Sequence, residues 1–216
     1  SINFPEGLLE IGKGAFAHCG SLEIINSPSS LLVICKEAFL WCGKLVEIVL
    51  SEGLREIGEE AFCQCKSLVK INFPSTLKII SEGAFMMCEG LVEVELPEGL
   101  REIGEYAFVG CEFPCFRIPP HVSKVKSITF CCSSMCSLEV PESLKRLDLG
   151  HRHNVQQSFV KSLRNVAIPP KCKGKNLTPN LIEGEGDLSK VFSSSRRRDL
   201  TKALKRRFDG LPLHEK

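Results

Sequence analysis

The dipeptide Ala-Phe returns every 23 residues, at Ala15-Phe16, Ala38-Phe39, Ala61-Phe62, Ala84-Phe85 and Ala107-Phe108. A cysteine stands three residues after each Phe, at Cys19, Cys42, Cys65, Cys88 and Cys111. Leu22, Leu45, Leu68 and Leu91 open the units, and Ile25, Ile48, Ile71 and Val94 follow three residues later. The unit reads L-x-x-I-x-[LF]-P-x-x-L-x-x-I-G-x-x-A-F-x-x-C-x-x. A piece this short cannot cover its own apolar side, so each copy must stack its Leu, Ile and Phe on the next.

The step then shortens to 22 residues while the pattern loosens. Ile118-Pro119, Val122, Val125 and Phe130 match Leu96-Pro97, Leu100, Ile103 and Phe108, and Val140-Pro141, Leu144 and Leu147 repeat the step again. This predicts about seven coils over residues 1–147, the first and last incomplete and the last two degenerate. Within a coil, L-x-x-I-x-L alternates inward and outward as a strand does, and successive coils would pair these strands in parallel about 4.8 Å apart. Pro5, Pro28, Pro74 and Pro97 end that strand. A second short extended piece such as Leu100 to Ile103 follows, and Ala-Phe-x-x-Cys closes the coil as a helical turn. The expected fold is therefore a repeat solenoid of short parallel β-strands with helical turns, followed by a C-terminal helical tail.

These units resemble the BspA-type leucine-rich repeats of bacterial surface proteins and of many microbial eukaryotes, from Ile2 to about Leu147. The resemblance implies adhesion or protein binding and brings no catalytic residues. It also implies a cell-surface setting, whereas many unpaired thiols would favour a reducing, cytoplasmic one.

Charge divides the chain at the end of the repeats. Residues 1–147 hold 13 Lys and Arg against 19 Asp and Glu, net −6, and residues 148–216 hold 15 against 7, net +8. Hydrophobic residues make up 43% and charged ones 25%, and no apolar run approaches the roughly 18 residues of a membrane span. The chain opens inside a repeat and without Met, as a fragment would, and its first residues lack the layout of a signal peptide.

Twelve cysteines admit disulfides, a metal site or buried thiols. Five at one repeat position would form a ladder of parallel side chains, which suits small core residues better than disulfides, because the bond needs Cβ atoms about 3.8 Å apart and turned together. Cys111, Cys115, Cys131, Cys132 and Cys136, with His121 among them, are the alternative: a zinc site or a reactive thiol. His18 beside Cys19 is a second place for thiol chemistry, which would need an exposed thiolate beside a base. No cofactor is expected.

The outward strand positions are Asn3, Ile24 and Asn26, Glu47 and Val49, Lys70 and Asn72, Glu93 and Glu95. In curved solenoids the sheet face is the extended partner surface. Amide, acid and aliphatic side chains suit a protein ligand of unknown identity and not a nucleic acid, whose phosphates call for many Lys and Arg. A second edge presents Arg55, Lys78, Arg101, Lys124 and Lys145, offset by Glu56 and Glu102.

Residues 148–194 are rich in breakers and read as a cap or linker, with one edge strand over Val166 to Ile168. A basic amphipathic helix is expected from Ser195 to Asp209, with Leu200, Ala203, Leu204 and Phe208 on one face. Such a helix offers an acidic partner or a membrane surface as another target. Asp209-Gly210-Leu211-Pro212-Leu213-His214 resembles the D-G-x-T-P-L-H start of an ankyrin repeat, with Leu211 in place of the x-Thr pair.

Overall fold

The computed structural model describes residues 1–125, 137–144, 146–147 and 165–167. The expected tail helix, the ankyrin-like segment and Cys131, Cys132, Cys136 and Cys172 lie outside the described residues.

The coils contribute front and rear strand segments. The front sheet runs β1 (Ile2–Asn3), β3 (Ile24–Asn26), β5 (Glu47–Val49) and β7 (Lys70–Asn72). The rear sheet runs β2 (Glu10–Ile11), β4 (Val33–Ile34), β6 (Glu56–Ile57), β8 (Ile79–Ile80), β9 (Glu102–Ile103), β11 (Lys124–Val125) and β13 (Arg146–Leu147). All pairs are parallel, and the register copies the repeat: Ile25 lies opposite Ile48, and Ile48 opposite Ile71. A third sheet, β10 (Cys115–Arg117), β12 (Ser137–Glu139) and β14 (Asn165–Ala167), resumes the front face further along. The edge strand expected at Val166 to Ile168 is β14, one residue earlier.

The third wall is the Ala-Phe-x-x-Cys segment, and its helical turn takes a specific form. Alternate amides close i→i+3 turns, as Ala38 N–H to the Cys35 carbonyl and Cys42 N–H to the Phe39 carbonyl, both 3.3 Å. The amides between them reach the next coil, as Phe39 N–H to the Ala61 carbonyl at 2.8 Å. This requires two left-handed residues per coil. One column is Gly14, Glu37, Glu60, Gly83 and Tyr106, and the other is His18, Trp41, Gln64, Met87 and Gly110, all with φ between 54° and 78°. Non-glycine residues tolerate that region reluctantly, so the bonds to the neighbouring coil hold it.

Phe16, Phe39, Phe62, Phe85 and Phe108 form a column down the core, with consecutive ring centroids 5.2–5.6 Å apart and planes within 10° of parallel. The last four are fully buried, together with the inward Leu and Ile of each coil. A second, smaller column of Leu40, Cys63, Met86 and Val109 is buried on the other side of the turn wall.

The front sheet departs from the sequence pattern at one coil. Glu93, Val94 and Glu95 repeat the outward–inward–outward pattern of the earlier coils but form no strand, and they join neither β7 nor β10. Aromatic rings lie on both sides of the break. Phe73 stands where the earlier coils have Phe4, Ser27 and Leu50, and Phe113 and Phe116 stand one step beyond Leu91 and Val94. Phe73 packs edge-on against Phe85, and Phe108, Phe113 and Phe116 pack on one another at 5.5–5.7 Å.

Candidate functional site

The front face carries the outward residues that the alternation assigns to it, but they are not equivalent. Asn26 donates its amide to Asn3 Oδ1 at 2.8 Å. Lys70 pairs with Glu47 at 2.6 Å. Asn72 turns back to the previous coil, accepting from Leu50 N–H at 3.0 Å and donating to the Leu50 carbonyl at 2.9 Å. These three contacts hold coils together. Val49, Glu93 and Glu95 are exposed and make no ion pair or side-chain hydrogen bond among the described residues, and Ile24 is half-buried.

The apolar part of this face is larger than the alternation alone suggests. Val46, Val69 and Val92, each directly after the unit's opening Leu, are 40–51% exposed, and Val49 joins them at 39%. Their signal in the sequence was the valine recurring at that position in three consecutive coils, outside the strand positions used to define the face.

Beside β7 the break in the sheet opens a cleft of about 370 Å³ lined by residues 69–73 and 93–95. The inward residues there are half-buried, Ile71 and Val94, whereas Ile25 and Ile48 are 1% exposed. Main-chain bonding fails at the same place. Val46 N–H reaches the Glu23 carbonyl and Val69 N–H the Val46 carbonyl, yet among the described residues Val92 N–H does not reach Val69. The bond from Ser27 N–H to the Val49 carbonyl is not repeated in the next coils: Leu50 N–H takes the Asn72 side chain, and Phe73 N–H does not reach Glu95 among the described residues.

The thiols lie elsewhere. Cys42, Cys65, Cys88 and Cys111 are buried and free, and each donates to a Phe carbonyl of the preceding coil at 3.1–3.3 Å. Burial raises the Cys42 thiol to about 11 and pushes Cys65 and Cys88 well above the usual value. Cys35 is also raised to about 11, by burial first and then by donating to Glu10. Cys111 is enclosed in the core and Cys115 is exposed on β10; no group of three metal-ligating side chains occurs among the described residues. His18 stacks on Trp41, ring centroids 6.3 Å apart. His121 bonds to the Glu98 carbonyl at 2.8 Å through Nδ1. On the second edge Arg55 and Arg101 are exposed, and Lys78 donates to the Gly99 carbonyl at 3.4 Å. No helix among the described residues is long and apolar enough to cross a membrane.

Among solved structures, the chain is similar to a leucine-rich repeat protein of Bacteroides ovatus. Identity is 27%, the TM-score is 0.59, and the match covers 70% of this chain and 48% of that one. It is also similar to the leucine-rich repeat protein of T. pallidum, at 34% identity and TM-score 0.59, covering 66% of this chain and 68% of that one. The chain thus spans about half the length of the Bacteroides protein. No curated protein matches it. The family described as BspA type leucine rich repeat region matches in six copies over residues 1–88 and 55–173. Its repeats commonly serve protein–protein interaction or adhesion. The described part of the matched region carries the Leu, Ile, Phe and Cys columns that build the three walls, and the chain belongs to the BspA-type leucine-rich repeat family.

Proposed function

We propose that the chain is a non-enzymatic interaction module that presents its front face to a protein ligand. The observation that carries this is the distribution of exposed apolar side chains. Of the six large ones among the described residues, Val46, Val49, Val69 and Val92 gather on the front. Exposed apolar side chains that are grouped, and not scattered singly, mark interaction surfaces. The surrounding amides and carboxylates give a mixed rim of the kind protein interfaces use. Ile24, Asn26, Glu47, Val49, Glu93 and Glu95 are the residues we place at the contact. Asn3, Lys70 and Asn72 hold the face in shape.

The test is site-specific photo-crosslinking in an extract of the chain's own host cell. A benzophenone side chain at Val49 or Val92 is expected to give one shared protein adduct that the same probe at Arg55, on the other edge, does not give. Equal adducts from both faces, or none from the front, would overturn the reading.

A further inference from the structure

We infer that the break in the front sheet is an acceptor site for an extended peptide strand in which basic and aliphatic residues alternate. The inference rests on the front face being the binding surface and names the place on it and the chemistry of its ligand.

Three observations meet at this coil. The first is free main chain. Among the described residues Val92 N–H and the Val69 carbonyl are unjoined where their counterparts one coil earlier are bonded, and β7 has no strand partner on the side of Glu93–Glu95. Unpaired strand edges are templates for an added strand, and main-chain bonds supply affinity in that mode of recognition. The second is an apolar floor. Ile71, Phe73 and Val94 are half-buried beneath a cleft of about 370 Å³, within the range of roughly 300–1,000 Å³ usual for ligand sites.

The third is charge. By the 23-residue register Glu93 lies opposite Lys70 and Glu95 opposite Asn72. Lys70 is taken by Glu47 and the Asn72 amide by Leu50. Glu93 and Glu95 are exposed and make no ion pair among the described residues; Lys70 across the cleft pairs with Glu47, and Arg117, one step beyond Glu95, pairs with Glu98 and Glu139. They stand two residues apart, so they point the same way from an extended chain. A peptide strand in the cleft would send alternate side chains down to Ile71, Phe73 and Val94 and the others up to the two carboxylates. The ligand this fits is Lys or Arg, then a small aliphatic residue, then Lys or Arg.

The probe is a fluorescent Lys-Val-Lys-Val-Lys peptide titrated against the full chain, with anisotropy as the readout. Binding is expected to weaken tenfold or more in the Glu93→Gln/Glu95→Gln double variant, whose surface changes leave the fold intact by circular dichroism. It is also expected to fail when alternate peptide amides are N-methylated, because methylation removes the main-chain donors and leaves the charges. Bound peptide should slow amide exchange at residues 70–73 and 92–96. Absence of binding, equal binding of a Lys-Lys-Lys-Val-Val peptide, or indifference to N-methylation would overturn the inference. The Val49 crosslink separates the two readings: if it persists while the peptide fails, the face binds protein but the cleft is not the acceptor. If both fail, the face itself is wrong.

Discussion

The thiol of Cys65 donates to the main-chain carbonyl of Phe39, 26 residues earlier and one coil away, at 3.3 Å. The same bond recurs from Cys88 to Phe62 and from Cys111 to Phe85. A cysteine column, one residue per coil, therefore joins coil to coil with a small apolar group that also satisfies a buried carbonyl.

Native thiol labelling followed by peptide mapping should divide the cysteines by burial. Of the described cysteines Cys115 is expected to react first, and Cys65 and Cys88 only as the chain unfolds, since the reactive thiolate is suppressed in the core. Labelling of Cys65 at the rate of Cys115 in the folded protein would contradict the buried ladder.

The same thiols make stability fall at high pH. Burial holds their folded pKa values above the usual 9.0, Cys42 at about 11 and Cys65 and Cys88 well above 9.0. The folded state therefore keeps protons that the unfolded chain releases. Stability from this source is intact below about pH 9 and is lost progressively as pH rises from there through 11 and above. Urea midpoints between pH 8 and 11 should decline, and a Cys65→Ala/Cys88→Ala variant should decline less steeply.

Phe62 lies at the middle of the ring column with a near-parallel neighbour on each side. Phe62→Ala is expected to cost about 3–5 kcal/mol. Phe16 is half-buried, so Phe16→Ala should cost clearly less. Chemical denaturation of the two variants side by side decides it.

Two glycines at the same repeat position separate close approach from mere smallness. A Cβ on Gly104 would fall 2.4 Å from Glu82 N and 2.5 Å from the Ser81 carbonyl carbon, whereas one on Gly12 meets nothing within 4 Å. Gly104→Ala should lose about 1–3 kcal/mol and Gly12→Ala should stay within about 0.5 kcal/mol. Equal denaturation midpoints would show that the rear strands can shift apart without cost.

The exposed Lys70–Glu47 pair, at 2.6 Å, should contribute no more than about 1 kcal/mol. Lys70→Ala is expected to leave the urea midpoint nearly unchanged while tightening binding of the basic probe peptide, because a cation leaves the cleft wall. Weaker peptide binding in that variant would place the ligand's charge elsewhere.

The columns were legible in the sequence because each wall follows one repeat position. Ala-Phe and Cys mark the turn wall, Ile25 and Ile48 the front strands, and Ile57 and Ile103 the rear ones. What the residues of the front face do was less legible. Asn72 reads as one more outward polar residue, and only its place relative to Leu50 makes it a link between coils. The break at Glu93–Glu95 leaves no trace in local alternation, since Val94 substitutes well for Ile. It shows only in the pairing of whole coils, which local pattern does not measure. The two left-handed columns were hidden too, because Glu37, Trp41, Glu60 and Gln64 occupy φ values that their side chains do not advertise.

The rear sheet runs unbroken past the coil at which the front sheet stops and begins again. A rod bonded continuously along one side and cut once along the other bends most easily at the cut. Thermal bending should therefore gather at a single joint, with Ile80 and Ile103 as its spine, and anything seated in the front opening would stiffen the rod and set its curvature.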